Sequence, residues 1–433
     1  MKNWGRAVLI LPMLLFVVPL ALAQPPQTLS LRQAEQIALQ QHPRIRAAAN
    51  LAGVAKAQVT QQQSAYFPVV TGNATGVDAE NNSRISAGGL NSPRTFEKYA
   101  NGVSVDQLIT DFGRTHELSK SANLHSRAAQ EDEVTAREDV LLGVDQAYFS
   151  VLKAQAVLKV AQATVNERKT VSEQVTTLEQ NKIKSGLDVS FANVNLAQAQ
   201  LMLIQAQNGL QASYAELSDA LGYAQQKTFQ LADVPIPPAP PANFSLLLQE
   251  AFQNRPELIS QRFEADSAHS YAIAQRDLWF PTITAAAVAG LSPYRPTDPT
   301  LDSPRYAAAG FNVNIPIFNG HLFGAERTEA NLQARAQDNY LRDLQDSISR
   351  DVRTAWLNAN STYQSLAVTE QLLNEANEAL DLAHSRYKLG LSSIVELTEA
   401  QLNQTQAQIA EASAKYDYQI ATDQLNFQLG VLQ

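Results

Sequence analysis

Two long stretches of the chain place apolar residues at spacings of three, four and seven. Neither stretch, from Gly113 to Lys184 or from Gly320 to Leu389, contains a proline. This periodicity predicts long α-helices with coiled-coil packing. At 1.5 Å per residue, about 70 residues would extend about 105 Å, far beyond the core of a globular domain. The periodic positions are Val134, Leu141, Val144, Tyr148, Val151, Leu158 and Val165, then Ile348, Val352, Ala355, Ala359, Tyr363 and Leu366.

A shorter helical stretch with few apolar residues follows each long one. These stretches, from Ser190 to Leu221 and from Ser392 to Leu429, are rich in Gln, Asn and Ala. We expect one side of each to pack on other helices and the other side to face water. The polar side has two interpretations, an ordinary solvated surface or the wall of a water-filled tube. Its length favours the tube.

Alternating apolar and polar residues mark four further stretches, arranged in two pairs. Each is about ten residues long, which is the length that crosses an outer membrane at a tilt. The polar loops Ala79–Lys98 and Ser292–Pro304 separate the members of each pair. A pair of soluble β-hairpins capping a helical body is the alternative interpretation. The predicted strands are Phe67–Val77, Tyr99–Ile109, Pro281–Leu291 and Arg305–Ile317.

Four strands cannot close a transmembrane barrel, because the smallest such barrels need about eight. Several chains must therefore contribute, and three chains would supply twelve strands with no exposed edge. The predicted fold class is mainly α with a small β part. With three chains it would combine a long coiled-coil α-helical barrel with a trimeric, twelve-stranded transmembrane β-barrel to which each chain gives four strands.

The chain is nearly two copies of one unit. "LSLRQAEQIALQQHPRI" near the start matches "FSLLLQEAFQNRPELI", and "AYFPVVTGNATG" matches "LWFPTITAAAVAG" in the same order. This order predicts an internal duplication. We divide the chain into a signal peptide at 1–23, a first repeat at 24–231, a proline-rich linker at 232–243 and a second repeat at 244–433. The linker's prolines lack backbone donors, so it should run extended.

The first residues are typical of an export signal. Lys2 and Arg6 precede the apolar stretch Ala7–Leu20, and "ALA" at 21–23 offers a small-residue cleavage site. Beyond residue 23, no run of about 18 apolar residues could form a helical membrane span. We therefore expect export across the inner membrane, to either a soluble state or a β-barrel.

Charge and cysteine content narrow the classes of partner. The formal net charge is -9, and losing the two cations of the signal makes it -11. Such acidity argues against a nucleic-acid partner. The sequence contains no cysteine. We therefore expect neither disulfides, nor thiolate metal sites, nor a lipid anchor, which needs a cysteine after the signal.

No catalytic constellation is apparent. The six histidines are scattered, and the run "HELSK" has Lys120 where a zinc-binding second histidine would stand. The sequence shows no phosphate-binding loop and no nucleophile elbow. We assign no catalytic residue, no metal site and no cofactor.

Several motifs resemble those of the TolC-like outer-membrane efflux proteins, also called outer membrane factors. The resemblance covers essentially the whole chain after the signal, in both repeats, and rests on the order and spacing of the motifs together. The motifs are "LSLRQAEQIALQQHP", "YFP", "DFGR", "IPIFNG", "KLGLSSIVELTEAQ" and "LNFQLG".

The resemblance implies a homotrimer in the outer membrane of a Gram-negative bacterium, in contact with its lipid and extending into the periplasm. It implies passive export, with energy from an inner-membrane pump acting through a periplasmic adaptor (membrane fusion) protein. It also implies that Gly390 and Gly186 allow the left-handed residues that end the long helices, at turns where the adaptor docks. Those turns are Lys184, Ser185, Gly186 and Leu187, with Lys388, Leu389, Gly390 and Leu391.

Glu396 and Glu399 match two acidic positions that ring the periplasmic entrance of the family's channels. A ring of carboxylates would favour cations and bind multivalent ones. The alternative is that both acids simply complement a helix N-terminus. Some family members also tie the tip with an Asp, an Arg and a Tyr. Here Tyr387 matches the tyrosine, but Ser392 and Ala192 stand at the other two positions, so a closed state needs other contacts.

Two alternatives without a pore stay open. A soluble periplasmic coiled-coil scaffold or adaptor would remain in the soluble fraction, whereas a barrel trimer would require detergent. An outer-membrane anchor without a transport role would show no conductance.

Overall fold

The computed structural model describes residues 28–78, 98–294 and 305–432. Within these ranges the chain forms eight α-helices and four β-strands, which confirms a mainly helical fold with a small β part. The expected signal peptide, residues 1–23, and most of the two expected loops lie outside the described residues. Among the helices that the structure describes, none combines the length and the apolar character of a membrane span.

The same order of elements occurs twice, as the predicted duplication requires. Two shorter helices precede two strands, and a very long helix and its shorter return helix follow. The first half contains α1 (Leu31–Gln41), α2 (Pro43–Gln63), β1 (Val69–Val77), β2 (Lys98–Thr110), α3 (Arg114–Gln180) and α4 (Gly186–Ala220). The second half contains α5 (Phe244–Asn254), α6 (Pro256–Arg276), β3 (Thr282–Tyr294), β4 (Arg305–Asn314), α7 (Leu322–Lys388) and α8 (Ile394–Leu429).

Local chemistry sets the starts of the short helices. Ser30 and Gln33 exchange side-chain and backbone hydrogen bonds in a capping box that begins α1. Pro43 and Pro256 are the first residues of α2 and α6, where a missing N–H is harmless and the proline φ suits a helix. The two X–Pro steps therefore end one helix and begin the next.

The strands form one antiparallel sheet in the order β1-β2-β3-β4. The β2–β3 pair joins the two repeats, with Val105 opposite Ala287. The prediction that the fourth strand reaches Ile317 is wrong, because β4 ends at Asn314. Pro316 lacks the backbone donor that a continued ladder would need. Among the described residues, β1 and β4 each have one edge with no partner strand.

The long helices α3 and α7 each contain 67 residues, which at 1.5 Å per residue is about 100 Å. Much of the predicted seam is buried in α3, including Leu141, Val144, Tyr148 and Val151. Val134, however, is 42% exposed in the single chain, so the buried seam begins later than predicted. In α7 four of the periodic positions are buried as predicted, namely Ile348, Val352, Ala355 and Ala359.

The proline-rich linker runs without helix or strand and is fastened to the helices by hydrogen bonds. The hydroxyl of Tyr148 lies 2.8 Å from the carbonyl oxygen of Leu29 and 2.6 Å from that of Ala232. The indole Nε1 of Trp356 donates to the carbonyl of Pro241 at 2.8 Å. A buried tyrosine and a tryptophan therefore hold both ends of the linker on α3 and α7.

Three carboxyl groups meet where α1 and α8 pack on α3. Asp145 of α3 is only 3% exposed. Burial, with the charges of Asp423 and Glu35, raises the pKa of Asp145 to about 9. Burial and the charge of Glu35 raise the pKa of Asp423 to about 7. The cluster therefore favours its protonated forms, because ionisation would leave desolvated carboxylates facing one another.

We expect the stability of the fold to fall as the pH rises from about 4 to about 9. In this range the Asp145 carboxyl is ionised in the unfolded chain but still protonated in the folded one. Because the folded protein then binds one proton more, the free energy of unfolding falls by about 1.4 kcal/mol for each pH unit. Asp145→Asn should flatten this dependence. The measurement is the apparent melting temperature of detergent-purified protein at pH 5, 7 and 9.

Asp381→Asn, at an exposed position of α7, is the matched control and should melt with the wild-type pH dependence. Equal pH dependence for Asp145→Asn and the wild type would show that Asp145 titrates normally in the folded protein.

Candidate functional site

The two helical hairpins end side by side in a pair of turns, residues 181–185 and 389–393, which we call the tip. In the second turn Gly390 has a φ of 74°, and the N–H groups of Gly390 and Leu391 donate to the carbonyls of Tyr387 and Arg386 at 3.1 and 2.8 Å. A left-handed glycine thus ends α7, as predicted.

The corresponding prediction for Gly186 is wrong. The left-handed residue after α3 is Lys182, with a φ of 60°. Gly186 is instead the first residue of α4, directly after the N-cap Ser185. Lys182 and Gly390 occupy the same place in their turns, two residues after the last residue of the long helix and three before the N-cap serine, Ser185 or Ser393.

Ser185 and Asp188 form the cap that begins α4. The Asp188 carboxylate accepts from the Ser185 N–H at 2.9 Å and from its hydroxyl at 2.6 Å, and the Asp188 N–H donates back to Ser185 Oγ at 3.3 Å. Burial opposes ionisation, but these hydrogen bonds and the Lys184 charge outweigh it and lower the pKa of Asp188. Asp188 is therefore an ionised group at the tip, where α4 offers its N-terminal dipole.

Tyr387 joins the two turns. The ammonium of Lys184 lies 3.7 Å from the Tyr387 ring centroid and donates to the Tyr387 carbonyl at 3.2 Å. The Tyr387 hydroxyl lies 3.5 Å from Asp188 Oδ1, at the long end for a hydrogen bond. Burial, followed by the charge of Asp188, raises the pKa of Tyr387 to about 12. The ring therefore stays neutral between a cation and an anion.

The two positions that depart from the family pattern have different surroundings. Ala192 is buried in a small core with Tyr387, Val175, Ile394 and Leu397. The hydroxyl of Ser392 is buried and has no hydrogen-bond partner among the described residues. Sequence reasoning did not identify Asp188 as the partner of Tyr387. The Ser-x-x-Asp spacing after Lys184 was the available signal, since it is typical of a capping box.

Glu396 and Glu399 lie in the first two turns of α8, three residues apart on one face, and both are exposed. Glu396 Oε1 accepts a hydrogen bond from Arg386 Nε at 3.0 Å. Glu399 has no ion pair within the described part of the chain. Sequence reasoning missed Arg386, whose only signal was a cation ten residues before the first glutamate, across a turn.

Exposed aliphatic side chains surround the tip. Ile183, Leu187, Leu389 and Leu391 are each between 65% and 74% exposed. Beside them, a groove of about 620 Å³ runs between α3 and α7, with Val175, Leu178 and Leu397 among its lining residues. Large apolar residues gathered on one surface commonly mark a contact with another protein.

A family comparison matches both halves of the chain. The family described as outer membrane efflux protein matches residues 35–223 and 247–431. Among curated proteins, the outer membrane protein TolC of Salmonella enteritidis is 24% identical over 422 residues, covering 94% of this chain and 83% of that protein. The alkaline protease secretion protein AprF of Pseudomonas aeruginosa is 24% identical over 362 residues, covering 80% of this chain and 72% of AprF.

Solved structures share the fold. The outer membrane protein VceC of Vibrio cholerae superposes with a TM-score of 0.80 at 18% identity, covering 92% of this chain and 96% of VceC. At this level of identity the likeness concerns the fold alone.

Two substitutions at Tyr387 separate packing from hydrogen bonding at the tip. Tyr387→Phe should cost little, about 0.5–1.5 kcal/mol, because it removes one long hydrogen bond and keeps the ring under Lys184. Tyr387→Ala should cost about 3–5 kcal/mol of local stability, because it empties a buried site. Hydrogen exchange of amides near the end of α7 measures both effects. Equal losses of stability for the two substitutions would contradict the expectation that packing of the ring, more than its hydrogen bond, stabilises the tip.

Proposed function

The chain belongs to the outer membrane efflux protein family, and on this premise we propose that it is the outer-membrane exit duct of a tripartite efflux or type I secretion system. The observation that carries the proposal is the direct connection of four strands to two helices about 100 Å long. Each long helix turns back at the tip into a return helix, of 35 residues in α4 and 36 in α8. Strands of this length suit a bilayer, and such hairpins suit a tunnel across a periplasm. Transport is passive, and no step requires catalysis.

The open edges of the sheet support a homotrimer. Within the described residues, the outer edges of β1 and β4 have no partner strand, and in lipid no water can satisfy those backbone groups. Pairing β4 of one copy with β1 of the next removes both edges, and three copies give a twelve-stranded barrel, within the range of known barrels. The register of the sheet puts Val70, Phe311 and Val313 on one face, and their exposed side chains suit a lipid-facing surface.

The helices support the same assembly. α4 exposes Val194, Leu201 and Ile204, and α7 exposes Leu372 and Leu382. Aliphatic stripes of this kind are unusual on a solvated monomer. In a trimer they would pack on helices of neighbouring copies, and the Gln- and Asn-rich faces would remain for the water-filled tunnel. We assign residues 24–231 and 244–433 as the two repeats that each copy contributes, joined by the linker at 232–243.

The partners are placed at the two ends of this duct. The sheet lies in the outer membrane, in contact with its lipid. The tip, with its exposed aliphatic side chains, receives a periplasmic adaptor that connects to an inner-membrane pump. The docking surface lies at the two turns. It comprises Lys184, Ser185, Gly186 and Leu187 at the first and Lys388, Leu389, Gly390 and Leu391 at the second. We include secretion because one relative, AprF, is named for secretion of a protease.

Glu396 and Glu399 form the periplasmic entrance ring in this proposal. They are exposed, share one helix face and lie in the first turns of α8, beside the tip. The three-fold axis would bring the carboxylates of all copies together around the pore. A constriction lined by carboxylates admits cations and retains multivalent ones. Lys184, Tyr387 and Asp188 replace the contacts that Ser392 and Ala192 cannot make, and hold the closed arrangement of the tip.

Single-channel conductance in a planar bilayer tests the duct and its entrance together. The wild type should give cation-selective steps that a trivalent cation blocks. Glu396→Gln/Glu399→Gln should weaken the block by about tenfold or more, because each lost contact of about 1.4 kcal/mol corresponds to a factor of ten. A water-soluble protein without channels would instead support a periplasmic scaffold. If the trivalent cation still blocks the doubly substituted channels as it blocks the wild type, the constriction lies elsewhere.

The docking surface has a separate test. Leu389→Glu/Leu391→Glu should reduce export from whole cells strongly while leaving the trimer and its bilayer conductance intact, because charges replace the apolar contact with the adaptor. Ile236→Glu, at an exposed linker position, is the matched control and should preserve export. Normal export by the Leu389→Glu/Leu391→Glu variant would exclude these leucines from the interface.

A further inference from the structure

Arg386 lies across the α7–α8 turn from Glu396, and the turn itself fixes its backbone. Its Nε donates to Glu396 Oε1 at 3.0 Å. The Arg386 carbonyl accepts from the Leu391 N–H at 2.8 Å, within the hydrogen bonds that close the turn around Gly390. The arginine is therefore anchored next to the start of α8, and its guanidinium reaches the first carboxylate of that helix.

The starts of α4 and α8 share one sequence pattern but use it differently. Ser185 and Asp188 close a reciprocal capping box at α4. Ser393 and Glu396 have the same spacing at α8, yet Ser393 makes no side-chain capping bond. A Ser-x-x-Glu pattern would ordinarily direct the glutamate back to the helix N-terminus. At α8 the Glu396 carboxylate is directed to Arg386 instead.

The two glutamates are thus chemically different. Glu396 has a cation of its own chain beside it, whereas Glu399, one turn further along α8, has no ion pair among the described residues. The paired side chains are 55% exposed for Arg386 and 46% exposed for Glu396. An ion pair this exposed is weak and exchangeable, so a mobile multivalent cation can compete with the guanidinium.

We propose that Arg386 is a tethered counter-ion that sets the cation affinity of the entrance. Mobile multivalent cations bind chiefly through Glu399. They can also contact the Glu396 carboxylate, but only by displacing Arg386 from it. This inference rests on the proposed function, since it requires both glutamates at the pore entrance. Arg386 acts through Glu396 and is a specificity-determining residue: it limits how tightly multivalent ions are held, while Glu399 keeps the entrance cation-selective.

Block of single channels by La³⁺ tests this role. Arg386→Gln should lower the half-blocking concentration by about two- to fivefold, the range expected for an exposed ion pair. Arg386→Lys, which retains the charge, should stay closer to the wild type. Arg350→Gln removes a cation paired with Asp351 elsewhere on α7 and should leave the block unchanged. Glu399→Gln should weaken the block more than any substitution of Arg386 strengthens it.

A double-substitution comparison isolates the interaction between Arg386 and Glu396. In a Glu396→Gln background, Arg386→Gln should lose its effect on the block, because the carboxylate that it uncovers is gone. An unchanged half-blocking concentration in Arg386→Gln would overturn the inference, as would an equal shift in both backgrounds. These results differ from failure of the proposed function, in which the wild type forms no channels or Glu399→Gln leaves the block intact. Size-exclusion chromatography verifies that every variant assembles like the wild type.

Discussion

The unpaired edges of the four-stranded sheet are the constraint on which the rest of the molecule depends. The order β1-β2-β3-β4 leaves the outer sides of β1 and β4 without partner strands in the part of the chain that the structure describes. Backbone groups at such edges need hydrogen bonds, and lipid supplies none. Only neighbouring copies can meet this need in the proposed assembly. The helices that continue from the strands then become the wall of a shared tunnel, and the tip becomes part of a shared entrance.

Tethers that cross between distant parts of the chain give the long helices a defined arrangement. The Tyr148 hydroxyl hydrogen-bonds to Leu29 and to the start of the linker, and the Trp356 indole hydrogen-bonds to the end of the linker. At the tip, Lys184 and Tyr387 connect the two hairpins. At each level a buried tyrosine therefore helps to hold the helices in register.

Charge is used differently at the two levels of the helices. At the middle, burial and the neighbouring carboxyl groups raise the pKa of Asp145 to about 9, so this buried side chain stays protonated at neutral pH. At the tip, the hydrogen bonds from Ser185 and the charge of Lys184 outweigh burial and keep Asp188 ionised, and Glu396 pairs with Arg386. Solvation decides the difference, because a carboxylate is tolerated where water or a cation reaches it.

The sequence by itself determined the features that depend on local chemistry. The proline steps, the long proline-free helices, the duplicated order and the left-handed Gly390 all follow from neighbouring residues. The tertiary structure alone decided the contacts between segments that are distant in sequence. Asp188 meets Tyr387, and Lys182, rather than Gly186, adopts the left-handed turn. Glu396 pairs with Arg386 in place of its local cap. Periodicity and propensity specify which face of a helix is apolar, but not which side chain of another element lies opposite, because that depends on how whole helices pack.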